Sequence, residues 1–499
     1  MRHLISLLAI LAGPALAKPD ADTKAWLAHT AQLSSDAMEG RDAGSPGHAR
    51  AIDLVERWFK AARLQPAGEG GTFRQTVPLH EVAVTAADMR VVAPDGSAAP
   101  LKFLHDITPR PATDLPATLA GAMRFAGYCS KLEAGPELKG KIAVCYGSRR
   151  AGRAQAAERL AAVSAAGAAA LLTIDDAGFA MEPPRWPDAY ARAVAHAGAA
   201  LPAGLPQFRV NGAALARLIA GSQRLAAAIL TDASLHRDLE SFDLPGRFEA
   251  RLTTAQRSFT SQQLIGLLPG TDKAKAAEFL LLGTHIDGYG FGEPVNVDGL
   301  YNGTLDDAGY VALLARLAER RKGKGFARPV LFAAWTAEEK GLLGARWWLA
   351  HPTVPKAQVV GVINLDQLRP LFPLKALTLH GLGQNTLADT AKAVAEGLKI
   401  EIRPDREPER NLIRRVDSWP FMEAGIPAVN FVFAYNPRTE EERIYRDWYN
   451  RRYHRPQDDI STPMDLDAAR DFNRFFYALV ETAANGAAKP VVKSVPPSP

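Results

Sequence analysis

The chain has 499 residues, 47% of them hydrophobic and 23% charged, an ordinary globular composition long enough for two or three domains. A formal net charge of +5 is small for that length and the basic residues are scattered, so nucleic acid is not an expected partner. Beyond the first residues no apolar run approaches the length of a transmembrane helix, so no membrane span is expected in the mature chain.

Met1-Arg2-His3 is a short basic start, residues 4–11 form an apolar core too short to cross a bilayer, and Ala15-Leu16-Ala17 fits the small-x-small cleavage rule. Gly13 and Pro14 break a helix just before that site. Residues 1–17 therefore read as a signal peptide, with Lys18 opening the mature chain and a secreted or periplasmic destination.

Residues 18–110 carry a helix over 23–33, the loop MEGRDAGSPGHAR, and an amphipathic helix in AIDLVERWFKAARL. From 111 to 250 the chain is Ala-rich, with short strands (KIAVCYG, AALLTID) around the helix QAAERLAAVSAAG. That alternation reads as a separate α+β insert, and without an acidic or histidine cluster no chemistry is expected from it. The two cysteines, Cys129 and Cys145, match no zinc knuckle; a disulfide, which export permits, and two buried thiols both suit them.

Residues 251–486 change texture. FLLLGTHID, PVLFAAWTAE, VVGVINLD, ALTLHG and AVNFVFAY are near-continuous apolar runs separated by helical stretches such as DDAGYVALLARLAERR, which predicts a three-layer α/β/α domain with a mostly parallel sheet. An amphipathic helix over 466–485 closes it. RRKGKG at 320–325 suits a helix C-terminus, and the tail 487–499 is Pro-rich and expected to be disordered.

Five metal-compatible residues stand out in this last domain: His285, Asp306, Glu339, Asp366 and His454. Two imidazoles and three carboxylates suit a pair of zinc-like ions, and most of the five follow a strand, where ligands of open α/β sheets collect. Each element alone has a bland alternative. An isolated His is usually structural, Asp306-Asp307 could cap a helix, and Glu338-Glu339 could answer a helix dipole. Two adjacent acids after the apolar run VLFAAW are nevertheless costly to bury without cations, so one is expected to bind metal and the other to act as general base. Asp287 leaves its strand on the same side as His285 and can orient it. No G-x-S-x-G elbow, H-E-x-x-H helix or dinucleotide fingerprint competes, and the sequon Asn302-Gly303-Thr304 reads as a turn.

The ordered set H-x-D, G-x-x-D-D, E-E, N-L-D and late Y-H resembles the M28 family of co-catalytic zinc peptidases. MEGRDAGSPGHARAIDLVERWFKAARLQPAGEGG and DSWPFMEAGIPAVNF are similar to other family segments, and ELKGKIAVCYG with AVSAAGAAALLTIDD resembles a protease-associated insert. The resemblance implies two Zn²⁺ per chain, with Asp306 bridging, His285, Glu339, Asp366 and His454 completing the shells, Glu338 as base and Asp287 orienting His285. It implies a peptide substrate and an aminopeptidase. A glutaminyl-cyclase-like enzyme on the same fold and a non-catalytic metal-binding protein are the alternatives. Gly309-Tyr310 and Val416-Asp417-Ser418 depart from the family pattern without removing a ligand.

Overall fold

The computed structural model describes residues 19–148, 150, 152–176, 191–366 and 369–493. The expected signal peptide, Lys18 and the last residues of the Pro-rich tail lie outside them. Helix α1 (Ala21–Leu33) opens where the Asp20 carboxylate accepts the Thr23 amide at 2.7 Å. In α2 (Pro46–Ala61), Ser45 caps the amide of His48 and Pro46 sits in the first turn, where its missing N–H costs nothing.

Strand β1 (Arg74–Val92) leads to a run of short elements: β2 (Thr118–Phe125), β3 (Ile142–Gly147), α3 (Ala156–Ala165), β4 (Ala170–Asp175), β5 (Arg192–His196) and β6 (Gln207–Val210). The chain returns through β7 (Phe242–Leu268), which pairs antiparallel with β1 from Arg247↔Val92 to Leu264↔Arg74. Beyond it come β8 (Phe279–His285), α4 (Gly309–Arg321), β9 (Val330–Trp335), α5 (Leu343–Ala350), β10 (Val359–Asn364) and β11 (Ala376–His380). The last elements are α6 (Thr386–Gly397), β12 (Glu401–Arg403), α7 (Ser418–Glu423), β13 (Ala428–Phe433), α8 (Glu440–Arg451) and α9 (Leu466–Asn485).

The C-terminal sheet runs β12-β11-β13-β10-β8-β9-β7, with β9, β8, β10 and β13 mutually parallel in the centre and antiparallel pairs at β13–β11 and β9–β7. Alternation along the central strands builds three layers. Leu280, Leu282, Phe332 and Ala334 face a core made with α1, α2, α4 and α9, while Leu281, Leu331, Ala333 and Trp335 face a smaller core with Trp348 of α5 and Phe421 of α7. The expected three-layer domain with its mixed, mostly parallel sheet is the architecture observed.

The insert has its own core, and β2, β3, β4 and β6 pair in parallel beside the far half of β7. That core draws on Val84, Met89 and Val91 of β1 and on Leu252 of β7, outside the expected limits of 111 and 250. The physical reason is that β1 and β7 are long enough to serve both halves, so one continuous sheet joins them. Cys129 and Cys145 form a disulfide within the insert. Among the described residues, no helix is long and apolar enough to cross a membrane.

Candidate metal centre

Because β9, β8 and β10 are adjacent and parallel, their C-terminal ends converge on one edge of the sheet. His285 ends β8, Glu338 and Glu339 follow β9 by three and four residues, and Asp366 follows β10 by two. Asp306 arrives on the turn Thr304–Ala308 that starts α4. Gly303 makes that turn possible: its φ is +62°, and a Cβ there would lie 2.4 Å from the Asp306 carbonyl oxygen. His454 comes from the loop after α8, with its backbone in the left-handed region at φ +52°. Ala337, just before the glutamate pair, is also left-handed at φ +54°. Non-glycine residues rarely adopt this conformation, and such strain gathers where a site must be aimed.

The structure brings all the candidate residues of the sequence together. His285, Glu338 and Asp366 offer ligand atoms within 4.8 Å of one another, as do His285, Asp306 and Glu339. Asp306 faces both imidazoles through different oxygens, Oδ1 standing 3.4 Å from His285 Nε2 and Oδ2 3.3 Å from His454 Nε2. Glu339 Oε2 lies 3.7 Å from the same His454 nitrogen. His285 Nδ1 lies 3.1 Å from the Asp287 carbonyl oxygen, which suits a donated Nδ1–H and leaves Nε2 for a ligand role. The Asp287 carboxylate is 3.9 Å from that ring. Its closer contacts are the backbone amides of Glu338 and Glu339, which donate to it at 3.0 and 3.4 Å.

Electrostatics follow from burial. Burial pushes the Glu338 carboxyl well above its ordinary range, and the charges of Asp366, Glu339 and Asp417 add to the effect while His285 opposes it. Burial likewise lifts Glu339 to about 7, with Asp306 raising and His454 lowering it. Asp306 goes the other way: burial disfavours its charge, yet His285, His454 and Arg369 hold it well below the usual carboxylate range. His285 is held well above its ordinary value against the burial cost, because Glu338 and Asp307 favour its cation. The edge thus concentrates buried acids beyond what two histidines and the nearby Arg41 and Arg369 can neutralise. Divalent cations would offset that charge, and the His and carboxylate donors are those zinc accepts, so the residues fit the group the sequence implies.

Several contributors escape sequence reasoning. Arg41, fully buried, donates from its guanidinium to the carbonyls of Leu33, Ile286, Asn302 and Gly303 at 2.6–3.1 Å, tying the His285 strand end to the Asp306 turn. Asp458 accepts the Leu305 amide at 3.1 Å, and Arg369 donates to the Leu305 carbonyl at 2.9 Å. Asp307 receives the Thr284 hydroxyl, and no side chain caps α4, so the capping alternative does not apply there. Tyr289 sets its hydroxyl 3.2 Å from His454 Nδ1, and Tyr453 stacks on the same imidazole at 3.6 Å between centroids. Asn302 is buried and donates to Ser34 and Asp36, so it offers no accessible glycan acceptor. The Arg in MEGRDAG, a charge amid glycines, was the one available signal for Arg41.

An α/β/α sheet with paired His and carboxylate donors at the ends of its parallel strands defines the class of metal-dependent hydrolases. Comparison narrows the class. The family model of peptidase family M28 matches residues 263–480, and the chain carries an M28 domain there. A curated relative, leupeptin-inactivating enzyme 1 of Streptomyces exfoliatus, is 27% identical over 244 residues, covering 46% of this chain and 51% of the relative, so the chain spans about half the length of that relative. Among solved structures, the aminopeptidase from Aneurinibacillus sp. strain AM-1 matches with a TM-score of 0.61 at 16% identity, over 96% of each chain. BSAP, a zinc aminopeptidase from Bacillus subtilis, matches with a TM-score of 0.59 at 17% identity, over 95% of this chain and 98% of that one. At these identities the structural likeness speaks to the fold alone.

Proposed function

We propose that the protein is an exported aminopeptidase that removes N-terminal residues from peptides using two zinc ions. The observation that carries the reading is Asp306, whose two oxygens face two different histidines, the disposition expected of a carboxylate shared by two cations. In this reading His285, Asp306, Glu339, Asp366 and His454 would hold the ions. When bound, the ions would supply a Lewis acid for the scissile carbonyl and lower the pKa of an attacking water.

The chain's own groups do the rest. Glu338 takes a proton on its carboxylate as the water attacks and returns it to the leaving amine, and burial, which raises its carboxyl above the ordinary range, favours that uptake. Asp287 fixes that base indirectly by holding the amides of Glu338 and Glu339. The surplus of buried carboxylates favours a substrate that brings a positive charge, which is the free α-ammonium of a peptide. Export is supported by the basic, apolar and small-residue order of residues 1–17 and by the disulfide, a bond that persists in oxidising compartments.

The test is one peptide in free and N-acetylated form, beside a peptide with N-terminal glutamine. The reading expects loss of N-terminal residues from the free forms, much slower cleavage of the blocked one, abolition by chelator and return with zinc. Equal cleavage of both forms would contradict it. Ring closure of the glutamine without hydrolysis would favour the cyclase, and full zinc occupancy with no turnover a binding protein.

A further inference from the structure

Beside the metal centre lies a cavity of about 560 Å³ whose walls come from both halves of the molecule. Val84 of the shared strand β1 lines it with Phe103 and Leu104, all three packed with the insert's core, and Tyr289 and Phe291 line it from the catalytic domain. Its size falls in the range of roughly 300–1,000 Å³ typical of ligand pockets. The acids on its wall are already matched. Asp42 takes Arg192 at 2.6 Å and Lys340 at 3.2 Å, Glu39 pairs with Arg50 at 2.8 Å, and Glu81 pairs with Arg257. Beside Ser45, Thr85 and these paired charges the wall presents apolar and aromatic surface, and Phe291, on a short hairpin beyond the metal loop, is 59% exposed.

Two contacts place the cavity next to the centre. The Tyr289 hydroxyl touches His454, so one tyrosine borders both spaces. Lys340, next after Glu339, reaches the cavity residue Asp42 and places its ammonium 5.2 Å from the centroid of the Tyr289 ring. If the α-ammonium of a substrate is held among the buried acids, the rest of an extended peptide must leave the centre at about 3.3 Å per residue. Here the adjoining space is this cavity.

We propose that the cavity seats the second and third residues of the peptide, on the leaving-group side of the scissile bond, and selects apolar or aromatic side chains there. The proposal rests on the aminopeptidase reading. The experiment measures kcat/KM for three substrates sharing one N-terminal residue: its amide, a tripeptide continuing Gly-Gly, and a tripeptide continuing Phe-Leu. The wild-type enzyme is expected to favour Phe-Leu over Gly-Gly by about tenfold or more, the scale of an apolar pocket contact. Phe291→Ala and Phe103→Ala should each shrink that ratio severalfold. As a readout free of turnover, calorimetric binding of the Phe-Leu tripeptide to Glu338→Gln enzyme should weaken when Phe291→Ala is added. A wild-type ratio near one, or a ratio and a binding constant indifferent to both phenylalanines, would overturn the cavity's role while amide hydrolysis upheld the aminopeptidase. No cleavage of any of the three by zinc-loaded enzyme would instead overturn the aminopeptidase reading, and the proposal with it.

Discussion

The two halves share the spine of β1 and β7 yet spend their buried interior differently. The insert fills its core with residues such as Phe125, Ile142, Val144 and Phe208 and fastens Cys129 to Cys145, and among the described residues no metal-compatible trio falls within it. The catalytic domain buries Asp287, Asp306, Asp307, Glu338 and Asp366 side by side at one sheet edge. Apolar burial stabilises a fold, whereas uncompensated carboxylates cost stability and persist where chemistry needs them. The insert thus buries apolar surface where the strand ends bury charge.

The sharpest way to break that contrast is Arg41, which belongs structurally to the acidic edge although it binds nothing itself. Arg41→Met would leave the carbonyls of Leu33, Ile286 and Asn302 without their buried donor, while that of Gly303 keeps the Ala308 amide. At about 1–3 kcal/mol for each unsatisfied group, a destabilisation of at least about 3 kcal/mol is expected. Zinc affinity should fall by about 10–100-fold, the scale of losing a group that orients ligands. Arg41→Lys, which keeps the charge but not the fork, should lie between. Denaturant titration and competitive metal titration check both values. Unchanged zinc affinity in a folded Arg41→Met protein would remove the residue from the site.

The disulfide tests the other half. Its cysteines are 16 residues apart, and closing a loop of that size stabilises by about 3 kcal/mol in the chain-entropy model. Replacing both cysteines with Ala should lower the unfolding free energy by about that amount and leave zinc content intact. Loss of zinc in a still-folded double variant would mean that the halves are not separable as described.

A smaller effect concerns pH. Burial and the Asp306 charge lift Asp458 to about 7 from an ordinary 3.8. A carboxyl with a raised folded pKa binds more protons folded than unfolded, so its contribution to stability is full below about 4 and is lost as pH rises toward 7. Metal-free protein should therefore be less stable at pH 8 than at pH 5, and Asp458→Asn should reduce that difference. Chemical denaturation of chelated protein at the two pH values measures it, and an unaltered pH dependence in the variant would contradict the assignment.

How much of this was legible in the sequence depends on what each element buries. The strands ending at His285, Trp335 and Asn364 are buried on both faces and read as apolar runs, and α9 was marked by its helical period. The metal-compatible residues were legible because five suitable side chains recur in order at strand ends. The length of β7 was not. Its middle, around Thr253–Ser258, is exposed and polar, held by backbone pairing with β1 and by no apolar stripe. Asp458 gave no signal and Arg41 only a faint one for a related reason: a lone charge in a loop reads as surface until the fold wraps carbonyls and amides around it.

Zinc content measured together with turnover tests most directly the division of labour between the adjacent glutamates. Wild-type protein and Glu338→Gln should each hold two zinc ions per chain, with turnover in the variant lower by about a hundredfold or more, the scale of a general base. Glu339→Gln should lose zinc. A Glu338→Gln enzyme that turned over near the normal rate, or that lost its metal as Glu339→Gln does, would contradict the assignment of base and ligand.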